Sequence, residues 1–175
     1  MRTAIFTLVI SAALSTIAIA GPGKPLVQGT FELSKIHTPD GKDVDLAMAL
    51  VQGDTVWGRM AFTFDGNQLT VSSANLDHKD GRWTACEASL TTEVTWTRSG
   101  FAVAATVSTS GRFTSFKKLT TSDHDSSENH CSLSVKSGTY AVTAGAAPQL
   151  KKDGGTMFLA PTTETDKVDW SKHVR

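Results

Sequence analysis

From residue 27 onward, large apolar side chains recur at every second position, and short glycine-containing turns interrupt the alternation. Period two is the spacing of side chains along one face of an extended strand; an amphipathic helix needs a period near 3.6. Helical periodicity is almost absent after residue 20, which confines the chain to β architectures made of neighbouring hairpins.

A two-residue hairpin imposes a test, because inward residues on one arm must sit opposite inward residues on the other. The segment from Met60 to Val71 passes with a turn at Asp65-Gly66, which sets Phe62 opposite Leu69 and Met60 opposite Val71. A turn one residue on, at Gly66-Asn67, passes as well. The segment from Val94 passes with a turn at Ser99-Gly100, Trp96 facing Val103 and Val94 facing Ala105. A turn at Ser137-Gly138 sets Val135 opposite Tyr140 and Leu133 opposite Val142, and one at Asp153-Gly154 pairs Leu150 with Met157. Nearer the start, Pro39-Asp40-Gly41 separates a first strand over 27–36 from a second over 43–51, and Gly53-Asp54 leads into the third. Leu76 to Arg82 reads as a polar connection and Lys117 to His130 as a solvated loop. The pattern predicts an all-β, antiparallel, up-and-down barrel of about eight strands, with a two-sheet β-sandwich as the alternative.

The first twenty residues read as a cleaved signal peptide. Met1-Arg2-Thr3 is cationic, Ala4 to Leu14 is mostly apolar, and Ala18-Ile19-Ala20 has the small-x-small form of a cleavage site. The apolar run is too short to span a bilayer comfortably, and no later stretch approaches that length. Residues 21–175 are then one exported domain, secreted or periplasmic. The chain carries 17 basic and 17 acidic side chains, so it has no basic field to attract nucleic acid and no polybasic anchor for anionic lipid. In an oxidising compartment the two cysteines, Cys86 and Cys131, are expected to form a disulfide rather than remain buried thiols.

The segment Leu26-Val27-Gln28-Gly29-Thr30-Phe31-Glu32-Leu33 resembles the G-x-W-x-L opening of the lipocalin-like (calycin) group of small exported barrels. Phe31 stands where that group usually has Trp, and the late Arg on which the Trp stacks has no located counterpart. The late strand Thr156-Met157-Phe158-Leu159-Ala160-Pro161 is also similar. The resemblance implies an eight-stranded barrel with an internal apolar cavity for a small hydrophobic ligand.

The residues read by themselves leave two possibilities for the inward face. Phe62, Phe64, Val71, Trp96, Phe101, Val103 and Tyr140 are the candidate ligand-binding residues, Trp96 and Tyr140 adding π-faces and hydrogen-bond donors. The same side chains, with Val94 and Val142, are equally the material of an ordinary filled core. Asp123, His124, Asp125, Glu128 and His130 are metal-ligand types, but their spacing matches no ordered motif and they read as an acidic loop, so no metal is expected. His37, His78 and His173 read as surface residues. The chain has no G-x-S-x-G elbow, no paired inward carboxylates and no phosphate cradle before a helix. The expectation is therefore a binding protein without catalysis or cofactor. The alternative is a protein-interaction, inhibitor or cell-envelope domain acting through its loops, with a filled barrel and an apolar patch near Trp57, Trp83 or Trp170.

Overall fold

A computed structural model of the chain describes residues 23–45, 55–79, 82–117, 120–123, 132–162 and 168. Its strands are β1 (Gly29–His37), β2 (Asp43–Asp45), β3 (Thr55–Asp65), β4 (Gln68–Lys79), β5 (Arg82–Glu93), β6 (Thr95–Trp96) and β7 (Gly100–Val103). They continue with β8 (Val107–Ser110), β9 (Arg112–Lys117), β10 (Thr120–Asp123), β11 (Ser132–Val135), β12 (Gly138–Thr143), β13 (Gln149–Lys152) and β14 (Gly155–Pro161). Among the described residues every element is a strand and every pairing is antiparallel. No helix among them is long and apolar enough to cross a membrane.

Hydrogen bonds join the strands in the order β10-β9-β5-β4-β3-β1-β14-β13-β12-β7-β6, with β2 set on β1 and a separate β11-β8 pair. The two limbs of this path meet in one stretch of chain, because β7, β8 and β9 follow one another from Gly100 to Lys117. The start of that stretch pairs with β12 and its end with β5, while β8 and β11 lie beside β5. The sheet therefore curls round into a barrel-like wall. With β7–β9 as one run and β11–β12 as another, neighbours in space are mostly neighbours in sequence, the meander expected of hairpin-connected strands. β1 closes against β14, Leu33 opposite Leu159.

Local chemistry explains each turn. β3 and β4 turn at Gly66-Asn67, with Phe64 opposite Leu69 and Phe62 opposite Val71. This is the second of the two turns that satisfy the face test, and it keeps every large apolar residue inward. Asp153 (φ 50°) and Gly154 (φ 82°) both take positive φ, as a type I′ turn demands, and Leu150 faces Met157 as expected. β2 is fixed to β1 by Asp43, which accepts from Lys35 Nζ at 3.0 Å and lies 2.8 Å from His37 Nδ1. The His37 contact, then Lys35, holds the Asp43 carboxyl below its ordinary range.

Several sequence expectations need correction. Trp96 lies opposite Phe101, not Val103, because the turn falls at Arg98-Ser99, where the Thr97 N–H donates to the Gly100 carbonyl. The inward face survives, since a two-residue slip in pairing preserves it. Ser137-Gly138 is not a hairpin turn. β11 and β12 run on past it and pair with β8 and β7, Val135 opposite Val107 and Gly138 opposite Val103. Gly138 (φ 114°) kinks the run instead of reversing it. A kink that inserts a residue switches the inward parity as a two-residue turn does, and Leu133, Val135 and Tyr140 are all buried. Leu76 to Arg82 is not a loop either: β4 and β5 extend until Lys79 faces Arg82. Residues 120–123 of the expected solvated loop pair with β9. The first strand begins at Gly29, and only 43–45 of the second is described.

Candidate ligand-binding site

All seven candidate residues lie in one buried cluster on the inner face of the wall. β3 supplies Phe62 and Phe64, β4 supplies Val71, β6 supplies Trp96, β7 supplies Phe101 and Val103, and β12 supplies Tyr140. Trp96 is 1% exposed and Phe101 fully buried. Their rings form a continuous array: Phe64 to Trp96 at 5.9 Å, Trp96 to Phe101 at 5.4 Å edge-on, and Phe101 stacked on Tyr140 at 4.9 Å. Phe31 joins edge-on to Phe64 at 6.4 Å. Such centroid distances are those of mutually packed aromatics, each pair adding about 0.5–1.5 kcal/mol beyond burial.

This end of the barrel is a floor. Trp96 Nε1 donates to the Gly66 carbonyl at 2.8 Å, so the one polar atom of the indole is satisfied by the β3–β4 turn. The Val94 N–H donates to Asn67, and the Gly23 N–H donates to the Trp96 carbonyl, drawing the chain start across the same end. Val27 is buried in the cluster. The Tyr140 hydroxyl donates to the Lys136 carbonyl at 2.9 Å, and Lys152 Nζ lies 5.1 Å from the ring centroid. Burial pushes the Tyr140 pKa above its ordinary value, and the nearby Asp153 adds to the rise.

Ile36, Met60, Val107 and Met157 pack against the cluster but are only partly buried, as are Leu26 and Val142. Register sets Ile36 opposite Met157. Met60 faces Ser73, which faces Ala88, and one step further out Gly58 faces Asn75, which faces Cys86. The inward positions of β3, β4 and β5 thus change from Phe, Leu and Val near the floor to Gly, Ser, Asn and Ala. Within this group the Asn75 Oδ1 is buried and has no hydrogen-bond partner. Sequence reasoning missed these residues. The signal was the continuation of β4's inward row, Leu69 and Val71, into Ser73 and Asn75.

The outer face carries a second, smaller apolar group: Leu76 and Ala85 buried beneath half-buried Trp57 and Trp83. His78 stacks on Trp83 at 4.4 Å. Beside it Arg59 is nearly buried, its Nε donating to Glu32 at 3.2 Å. A shallow cleft of about 200 Å³ there is lined by Arg59, Ser72, Ala74, Glu87, Ser89 and Val168. That is below the roughly 300–1,000 Å³ of drug-sized ligand sites.

Cys86 is buried on the inner face. Cys131, the leader 1–20, His124, Asp125, Glu128, His130, Trp170 and His173 lie outside the described residues. His37 is half-buried and His78 is exposed. Among the described residues no three His, Cys, Asp or Glu side chains gather as a metal set. No family model, curated protein or solved structure matches the chain.

Proposed function

We propose that this protein is an exported, lipocalin-like carrier that binds a small apolar molecule in its barrel and performs no catalysis on it. The carrying observation is a buried aromatic base on the inner face with apolar side chains packed on it that are only partly covered: Ile36, Met60, Val107 and Met157, and likewise Leu26 and Val142. An aliphatic molecule entering there would remove this surface and its own from water, at roughly 25 cal/mol per Å² of apolar area. Phe62, Phe64, Val71, Trp96, Phe101, Val103 and Tyr140 form the base on which the ligand rests. The leader at 1–20 directs export, and a Cys86–Cys131 bridge ties β5 to the segment before β11; Cys86 is not a free thiol.

The test is displacement of the fluorescent probe N-phenyl-1-naphthylamine by fatty acids, fatty alcohols and retinol. Binding with Kd in the micromolar range is expected, weakened about tenfold or more by Met60→Lys or Met157→Lys, which place an ammonium at the entrance. Absence of binding by every probe, or affinities indifferent to both substitutions, rejects the reading.

The outer-face tryptophans favour a second reading, in which the barrel is a filled scaffold and Trp57, Trp83 and His78 dock a protein partner. Half-buried aromatics over an apolar base are the residue types enriched at interface centres. Trp57→Ser with Trp83→Ser would then abolish partner capture and leave probe binding intact.

A further inference from the structure

We infer that the outer face of β3, β4 and β5 is the docking surface for the chain's own C-terminal segment, and that Trp170 is the side chain seated on Leu76 and Ala85 between Trp57 and Trp83. The inference is independent of the carrier reading. Under the second reading, an outside partner would have to displace Trp170.

A wall one sheet thick leaves its outer face to water, so small and apolar side chains that are buried on that face need a cover. Phe62, Val71 and Leu90 point inward, and the alternate positions on the same strands therefore point outward. Among these, Leu76 is 0% exposed, Ala85 1%, Arg59 and Ala61 each 4%, and Ala74 6%. Such values belong to an interior. Trp57 and Trp83 pack on Leu76 and Ala85 but are themselves only half-buried. They also stand at one end of the stripe. Ala61 lies four residues along β3 from Trp57, about 13 Å in an extended strand. The two tryptophans alone do not cover it.

The described residues point to the cover. Val168 lines the cleft on this face together with Arg59, Ser72, Ala74, Glu87 and Ser89. The stretch after β14 therefore lies on the outer side of the wall. Register gives its direction. The Thr162 N–H donates to the Thr30 carbonyl at 3.2 Å, and Thr30 is level with Thr63 and Thr70. Six residues later, Val168 is at the level of Ser72 and Ala74, further along β4 toward Leu76. Two more residues on the same course advance up to about 7 Å, the separation of Ala74 from Leu76 along a strand. The residue two places beyond Val168 is Trp170. An indole brings about 150–250 Å² of largely apolar surface, suited to a base of Leu76 and Ala85 flanked by two other indoles. An outside protein on this patch would leave the placement of Val168 without a reason.

The experiment is carbon-edited nuclear Overhauser spectroscopy on the whole mature chain, with the Trp170 indole assigned by its loss in Trp170→Ser. Cross-peaks from the Trp170 ring to the Leu76 and Ala85 methyl groups are expected. In Trp170→Ser those methyl resonances should shift, as a ring current is lost, and the melting temperature should fall by several degrees. Trp170→Phe should restore most of the loss. Absence of the cross-peaks in the wild type overturns the inference, whatever the variants do, and leaves the patch open to the partner of the second reading. Cross-peaks found only between differently labelled chains in a mixed sample make a second copy the occupant and overturn it as well. Failure of apolar probes to bind rejects the carrier reading and leaves these outcomes untouched.

Discussion

At Gly100 the absence of a side chain is a packing requirement. A Cβ there would overlap the Tyr140 carbonyl oxygen of the neighbouring strand, and backbone cannot swing aside as a long side chain can. Gly100→Ala is expected to cost at least about 3 kcal/mol, read from denaturant midpoints, by forcing β7 and β12 apart. A shift under about 1 kcal/mol would show that the two strands separate freely. Tyr140 is the chain's single tyrosine, so its ionisation can be followed alone by ultraviolet absorbance. Its pKa is raised, first by burial and then by Asp153. Below the ordinary value of 10.0 both folded and unfolded chains hold the proton, and the contribution to stability is fully present. As pH rises past that value the unfolded chain ionises first, and stability falls through the folded pKa. Tyr140→Phe should flatten this alkaline loss, and an identical alkaline profile in the two proteins would refute it.

At the scale of elements, alternation was a reliable guide to faces and a poor guide to connections. Phe62, Phe64, Trp96, Phe101, Val103 and Tyr140 all point inward as their positions along the strands require. Which strand each one faces was less legible. A two-residue turn and a one-residue kink change parity identically, so nothing local distinguishes a hairpin at Ser137-Gly138 from the bend found there. The long stretch from Gly100 to Lys117 decides the matter: it occupies the partner edge of both β11 and β12, leaving neither free to pair with the other. The polar stretch from Leu76 to Lys79 was misread for a related reason. Polar side chains can occupy strand positions when the backbone is hydrogen-bonded along its length, as β4 is to β5.

At the scale of the whole molecule, the proposed Cys86–Cys131 bridge would close a loop of about 46 residues, worth ~4 kcal/mol in the chain-entropy account. Cys86→Ser is accordingly expected to lower stability by about 2–4 kcal/mol, seen as a drop of several degrees or more in melting temperature. Two thiols titrating in the unfolded, non-reduced protein would disprove the bridge. Cys86 faces Asn75, away from the aromatic floor.

Local pattern is enough to establish that this is an antiparallel β protein, which residues face inward, and that most strands follow one another as neighbours. Those properties are local, set by a two-residue period and by the chemistry of short turns. It took the folded arrangement to show that the inward rows of β3, β4 and β5 change from Phe, Leu and Val to Gly, Ser, Asn and Ala, that the Asn75 Oδ1 is buried without a partner, and that Trp57 and Trp83 share an outer patch. These depend on the relative heights at which separate strands are paired. That offset is fixed by closing the sheet on itself through Gly100 to Lys117, and no single stretch of chain encodes it.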